Sequence, residues 1–422
     1  MTRVTVCFPF VGKHKVSAIY NDVPTQGFSM TTKLYSPKAV YAKTGETPPR
    51  VLAAPQRYIQ GPGVVDQIGI YIAHLEVKRA AILGSQRGLN AEGARVAHSL
   101  KLSHIESINA GFSGECSIPE IQTHVANLMD KQIDCLIVVG GGKPIDAGKC
   151  IAHRLGIPVI VVPTLASNDA PCSALSAIYS ESGVSDYIEY FPKSPELVIV
   201  DTDVIANADE RYLVAGMGDA MATWYEARVC LNNSVARTPL GGRPTLAACA
   251  LGEVCAHTLY EHGEAAATSV AANRNNESVE KVVEANTLLS GIGFESGGLA
   301  IAHAMSLAFT RIEVVHDNYL HGEMVAMGTM AQLAFERSDD LQRVARFFAK
   351  VGLPVHLGQI SLAQQNSLLD IVVEATLANP IAHHMPTPVT HDLLLQAILD
   401  AHQLGQTIGS EVGDQAYRRL RA

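Results

Sequence analysis

Short aliphatic runs alternate with amphipathic stretches between Arg57 and Val204. The runs AAILG (Ala80–Gly84), HIESIN (His104–Asn109), CLIVV (Cys135–Val139), VIVVP (Val159–Pro163) and LVIVD (Leu197–Asp201) are bounded by Gly, Pro or polar residues, a pattern that predicts strands. Segments such as SIPEIQTHVANLMDKQI (Ser117–Ile133) lie between them and carry the spacing of amphipathic helices. Strands and helices alternating in this way imply a parallel sheet covered by helices on both faces.

Past Asp209 the strand-like runs stop and helical spacing continues. In DLQRVARFFAKVGLP (Asp340–Pro354), Leu341, Val344, Phe347, Phe348 and Val351 share one face, Gly352 suits the position just past the helix, and Pro354 blocks continuation. A chain of 422 residues exceeds one ordinary core. The expected layout is an N-terminal extension over 1–50, an α/β dinucleotide-binding domain over 51–208 and an all-helical domain over 209–422, with the active site between the last two. The first thirty residues lack the apolar segment and cleavage-like site of a targeting peptide, so they read as a dispensable extension with Met30 as an alternative start.

Composition and charge narrow the function classes. With 47% hydrophobic and 17% charged residues the chain is globular and well packed. A net charge of −9 argues against nucleic acid, which needs a basic face, and no run of 18 apolar residues suggests a membrane span. The eight cysteines form no C-x-x-C pair and several sit inside apolar runs, which fits reduced, buried thiols in a cytoplasmic protein. Cys249 and Cys255 are an alternative zinc pair.

The stretch LIVVGGGKPIDAGKC (Leu136–Cys150) looks like two nucleotide motifs and matches neither. Five residues rather than four separate Gly142 from Gly148, Cys150 follows Lys149 where a P-loop has Ser or Thr, and Ile145 occupies the last glycine of a G-x-G-x-x-G pattern. Gly140, Gly141 and Gly142 nevertheless join a buried strand to a helix, where backbone N–H groups and the helix N-terminus favour a phosphate. A tight turn alone is the competing reading. The next loop, VPTLASNDAPCSALSAIYSESG (Val162–Gly183), also follows a strand and offers small hydroxyl residues, Asp169 and Tyr179; an Asx turn at Asn168 and Asp169 is its plainer explanation.

The motifs GGGKPIDAGK, PTLASNDAPCSALSAIY, GMGDAMATWYEA, VVEANTLLSGIGFESGGLAIAHA, HGEMVAMG and HHMPTPVT, in that order, resemble the glycerol dehydrogenases of the iron-containing alcohol dehydrogenase superfamily. The resemblance covers roughly Arg57 to Gly409. It implies a dehydroquinate synthase-like fold, with an α/β dinucleotide-binding domain and an all-α metal-binding domain. It further implies that Gly141, Gly142, Lys143, Thr164, Ser167, Ser173, Leu175 and Tyr179 bind NAD, that Asp146 and Lys149 match a D-x-x-K pair, and that Asp169 orients substrate hydroxyls. Asp219, His303 and His321 correspond to the metal ligands. Iron-type relatives carry a further His where this chain has Thr223, so Zn2+ is favoured, with Fe2+ or Mn2+ also admitted by the ligand set. The expected substrate is a small alcohol or polyol, oxidised in a homo-oligomeric enzyme with neither nucleic acid nor membrane as partner.

Two departures stand out. Relatives usually place a carboxylate after the first of these strands to hold the adenosine ribose; here the residues are Gly84, Ser85, Gln86 and Arg87, which admits NADP. The family's H-A-x-H-N-G is here His303, Ala304, Met305, Ser306, Leu307 and Ala308, which suggests a less polar substrate. The alternatives share the fold: a glycerol-1-phosphate dehydrogenase-like or dehydroquinate synthase-like enzyme on a phosphorylated substrate, for which Arg274 and Arg311 are isolated candidate cations, or a dinucleotide-binding protein without catalysis.

Overall fold

The structure, a computed structural model, describes residues 34–42, 45–181, 183–362 and 366–422. The first thirty residues, with Cys7 and Met30, lie outside them. All the strands read from the sequence form, with ends shifted by two residues at most: β2 (Arg79–Gly84), β3 (Glu106–Gly111), β4 (Cys135–Gly140), β5 (Val159–Pro163) and β8 (Leu197–Asp201). They join β1 (Arg57–Gly61) in a six-stranded sheet of order β1-β8-β5-β4-β2-β3 whose pairings are all parallel. Both faces of the central strands are buried, which is why their sequences are continuous aliphatic runs rather than alternating ones. A separate antiparallel hairpin pairs β6 (Leu175–Tyr179), inside the stretch the sequence suggested was loop, with β7 (Ser185–Tyr190) just beyond it.

The order of the strands fixes where a ligand sits. From β2 the chain moves outward to β3, then crosses back to β4 on the other side of β2. The carboxyl ends of β2 and β4 therefore flank a topological switch point, the crevice that open α/β sheets use for binding. At one rim Ser85 caps the short helix Gln86–Asn90; at the other, Gly140 leads into a helix.

The helices that position the site are α1 (Ile118–Leu128), α2 (Gly142–Leu155), α3 (Glu210–Leu231), α4 (Leu246–Ala271), α5 (Glu277–Glu284), α6 (Ser290–Gly297), α7 (Ile301–Phe309), α8 (His321–Glu336), α9 (Asp340–Val351), α10 (His391–Val412) and α11 (Gln415–Arg419). Ser117 caps α1 as its place before Ile118 suggests, and Gly352 ends α9 in the left-handed region at φ 99°. Helices α5 and α6 are one continuous element interrupted by a π-turn over Ala285–Leu289. In that turn Asn286 donates to Ala166 O and Leu213 O at 2.9 and 3.0 Å, tying the end of the sheet to α3. Residues 45–50, expected within the extension, run beside Arg243, whose backbone N–H donates to Pro49 O at 2.8 Å. The described residues belong to one compact unit, Leu34–Ala422.

Candidate active site

Asp219, His303 and His321 meet across three helices, each offering a ligand atom within 4.8 Å of the others. Asp219 lies mid-way along α3, His303 in the first turn of α7, and His321 opens α8. Both imidazole Nε2 atoms stand 3.3 Å from Asp219 Oδ1, which is buried and accepts no hydrogen bond. A buried carboxylate oxygen without a donor is costly. Two imidazole nitrogens and a carboxylate oxygen turned toward one another make a set that a divalent cation completes, so these residues fit a metal. The side chain of His321 is 39% exposed against 9% for His303, so the site opens on the His321 side.

Glu226, which the sequence reading did not single out, fixes the orientation of His303. It lies seven residues after Asp219, two turns along the same face of α3, and is fully buried. Its Oε2 is 2.5 Å from His303 Nδ1, while Oε1 accepts from Ala300 N and His303 N at 2.7 and 2.9 Å. One carboxylate thus caps α7 and holds the ring so that Nε2 points inward. Burial alone would depress the His303 pKa, but Glu226 and then Asp219 outweigh it and hold it well above the usual imidazole range. Burial likewise works to raise Asp219, and the facing His321 and His303 hold it below the usual carboxylate range.

Asp169 sits against this trio. Its backbone N–H donates to Asp219 Oδ2 at 3.2 Å, and its Oδ2 accepts from Ser290 Oγ at 3.2 Å. Ser290 Oγ in turn lies 2.8 Å from Thr223 Oγ1. With the Ser290 proton directed to Asp169, Thr223 is the donor in that second bond. Burial, then the charge of Asp219, pushes the Asp169 carboxyl well above its ordinary value.

The residues expected around a dinucleotide divide into two sets. Gly141, Gly142 and Lys143 form the uncapped start of α2 at the carboxyl end of β4. Thr164 is beside them, its backbone N–H donating to Gly140 O at 3.0 Å. No side chain caps α2, so its first N–H groups face the switch-point crevice and suit a phosphate. A Cβ on Gly142 would stand 2.7 Å from Asn168 Nδ2, so a larger residue there would have to push the Asn168 side chain aside. Lys143 Nζ is paired with Glu115 Oε1 at 2.5 Å.

Ser173, Leu175 and Tyr179 are placed differently. Ser173 is fully enclosed, accepting from Lys149 Nζ at 3.2 Å and donating to Ala170 O at 3.2 Å. Leu175 and Tyr179 lie half-buried on β6. Lys149 also pairs with Asp146 at 3.0 Å and donates to Ala170 O at 3.0 Å, and Asp146 Oδ2 accepts from Ala177 N at 3.1 Å. The D-x-x-K pair therefore staples α2 to the loop and hairpin that follow β5. Breaking such a buried pair costs about 3–5 kcal/mol.

The alternative zinc pair is not assembled. Cys249 Sγ donates to Ala227 O at 3.6 Å, and Cys255 Sγ donates to Ala220 O and Ala285 O at 3.6 and 3.4 Å, as core thiols do. All seven described cysteines are free. Among the described residues no single helix is long and apolar enough to cross a membrane.

Residues 55–202 match the iron-containing alcohol dehydrogenase family. The chain is 42% identical to a glycerol dehydrogenase of Escherichia coli over 361 residues, 85% of this chain and 98% of that one. It is 38% identical to a glycolaldehyde reductase of Halobacterium salinarum, covering 85% of this chain and 98% of that protein. The crystal structure of glycerol dehydrogenase from Schizosaccharomyces pombe superposes with a TM-score of 0.82 at 34% identity, covering 86% of this chain and 93% of that one.

Proposed function

This chain belongs to the iron-containing alcohol dehydrogenase family, and on that premise we propose that it is a metal-dependent dehydrogenase that oxidises glycerol or a related vicinal diol with transfer of hydride to a nicotinamide dinucleotide. The observation that carries the reading is the buried Asp219 Oδ1, without a hydrogen-bond donor, facing the Nε2 atoms of His303 and His321.

Asp219, His303 and His321 hold the metal, with Zn2+ preferred because Thr223 stands where a fourth protein ligand would. When bound, the metal would supply Lewis acidity for the alcohol oxygen, and the dinucleotide would supply the hydride acceptor. Glu226 keeps the Nδ1 proton of His303, so that Nε2 presents a lone pair to the site. Asp169 orients the hydroxyl next to the reacting carbon, and Thr223 and Ser290 brace its carboxyl from behind. The N-terminus of α2, with Gly141, Gly142 and Lys143, would hold the pyrophosphate; Thr164, Ser167, Leu175 and Tyr179 line the adjoining loop and hairpin, and enclosed Ser173 supports them.

Three finer features follow from this chain's own residues. No carboxylate follows β2, and Ser85 and exposed Arg87 in its place support use of NADP besides NAD. Met305 is buried and the Ser306 hydroxyl is taken by His303 O at 2.9 Å, which supports a substrate less polar than glycerol. The exposed apolar residues Leu246 and Val254 of α4 support a homo-oligomer, and seven free thiols support a reducing, cytoplasmic setting.

The test is the initial rate of reduced-cofactor formation with glycerol and a panel of diols, using NAD and NADP separately, before and after chelation. Chelator-sensitive turnover of a vicinal diol, restored by Zn2+, is expected. Zn2+-loaded protein that binds the dinucleotide yet turns over no unphosphorylated alcohol would overturn the reading.

A further inference from the structure

Building on the metal reading above, we propose that Arg421 is a positioning residue for the metal centre, because the segment Gln415–Arg421 ties together the starts of the two helices that carry Asp219 and His321.

Those helices, α3 and α8, touch at Gly218 and Gly322, each the immediate neighbour of a metal-site residue. A Cβ on Gly322 would lie 1.8 Å from Ala215 O, and one on Gly218 would lie 2.3 Å from Gly322 O. Backbone contact sets how closely Asp219 and His321 approach. Further along, Gln332 Nε2 donates to Tyr225 O at 3.1 Å and Arg228 pairs with Glu336 at 3.0 Å, which hold the far ends of the same two helices together. The starts of these helices, which carry Asp219 and His321, are held by separate attachments.

The segment supplies two. Arg419 donates from Nε to Glu210 Oε2 at 3.2 Å and from Nη2 to Oε1 at 2.5 Å, and Glu210 is the first residue of α3. Arg421 reaches the first turn of α8, where its Nη2 forms an ion pair at 2.8 Å with Glu323 Oε1. Its guanidinium is fixed in place by stacking 3.8 Å over the Tyr417 ring and 5.5 Å from that of Tyr319.

Glu323 is the residue through which Arg421 acts. It is 1% exposed, and it accepts from Arg211 Nε and Nη2 at 2.8 Å each and from Leu320 N at 2.9 Å. The last of these bonds satisfies a free N–H at the start of α8, whose first residue is His321. A carboxylate this buried keeps its place only while cations face it. Arg211 belongs to α3, so Glu323 links the two helices directly, and Arg421 is the second cation on the same carboxylate. Removing Arg421 loosens the first turn of α8 and with it the His321 ring, while the glycine crossing stays intact.

The test uses the full chain. Zn2+ dissociation constants come from chelator competition, read beside the absorption spectrum of the Co2+-loaded protein and the melting temperature of the metal-free protein. Arg421→Ala is expected to weaken Zn2+ binding about tenfold, the lower end of what residues behind metal ligands contribute. It should also shift the Co2+ bands, and Arg421→Lys should recover part of the affinity. A metal-free melting temperature within about 2 °C of the parent shows that the fold is kept. Unchanged Zn2+ affinity and Co2+ bands in Arg421→Ala would overturn the proposal. Asp219→Asn, run in parallel, separates the two readings: if it too leaves Zn2+ affinity intact, the metal site itself is wrongly assigned, whereas a loss confined to Asp219→Asn removes the brace alone. Should Arg421→Ala not fold, Arg421→Gln keeps the stem against the tyrosines without the charge and carries the same comparison.

Discussion

Glu226 grips His303 at both the ring and the backbone: Oε2 meets Nδ1 at 2.5 Å while Oε1 accepts the backbone N–H of the same residue at 2.9 Å. With Ala300 N also donating to Oε1, three donors converge on two carboxylate oxygens. An amide cannot serve all three, because its nitrogen presents hydrogens rather than lone pairs. Glu226→Gln is therefore expected to weaken Zn2+ affinity by about 10- to 100-fold. Chelator competition measures this, and an affinity equal to the parent's would show that the contact only caps a helix.

Asp169 is expected to matter in proportion to the hydroxyls a substrate offers. Asp169→Ala should lower kcat/KM for a vicinal diol by up to about tenfold, the range of a lost hydrogen bond between neutral groups. A simple primary alcohol, with no second hydroxyl to hold, should suffer less. Equal losses on both substrates would mean that Asp169 supports the site without touching the diol.

Ser85 is the position to change for cofactor choice. It caps the helix Gln86–Asn90 by accepting from Gly88 N at 3.1 Å, a task aspartate performs equally well. Ser85→Asp should therefore fold normally, bind the ribose hydroxyls of NAD and repel a 2′-phosphate. The ratio of kcat/KM for NADP over NAD is expected to fall at least about tenfold, as one charged contact implies. A ratio that does not move would place the adenosine ribose elsewhere.

Glu295 gives the apo protein a pH-dependent stability. The carboxyl is fully buried and accepts from Ala174 N at 2.8 Å; burial pushes its pKa up to about 7, against the opposing pull of that N–H and of Lys149. A folded-state pKa raised above the unfolded value means the folded state holds the proton longer. Its contribution is fully present below about pH 4.5 and is lost as the pH rises to about 7, roughly 3 kcal/mol in all. Glu295→Gln keeps an acceptor for Ala174 N and removes the titration. Urea midpoints at pH 5 and pH 8 should show the variant gaining on the parent at the higher pH. A constant difference would rule out Glu295 as the source.

The central strands were legible because burial on both faces writes them as aliphatic runs, and the helical half because its spacing persists after Asp209. RYIQG at β1 carries no such run, since this edge strand is mostly half-exposed. The β6–β7 hairpin stands outside the main sheet, and LSAIY and SDYIEY show only weak alternation within a stretch rich in loop residues. Of the metal trio, Asp219, His303 and His321 were named from motif resemblance, because no local spacing joins residues from three helices. Glu226 lies on the face of α3 that carries Asp219, so its position was readable. Its purpose was not, since that depends on where α7 begins. Ser290 was hidden for a similar reason: a serine in a helix says nothing of the carboxylate it meets.

The π-turn at Ala285–Leu289 makes the length of one helix part of the chemistry. Each residue advances an α-helix by about 100°, so a single added residue rotates everything after it by more than a quarter turn. Ahead of the turn the helix packs by one face; beyond it, Ser290 is aimed at Asp169 and Thr223. Deleting one residue there would leave a more regular helix, one residue shorter, yet point Ser290 away from the carboxylate. The hydroxyl pair behind Asp169 is thus encoded by counting as much as by identity, and an insertion or deletion in this helix is a functional change even where every named site residue survives.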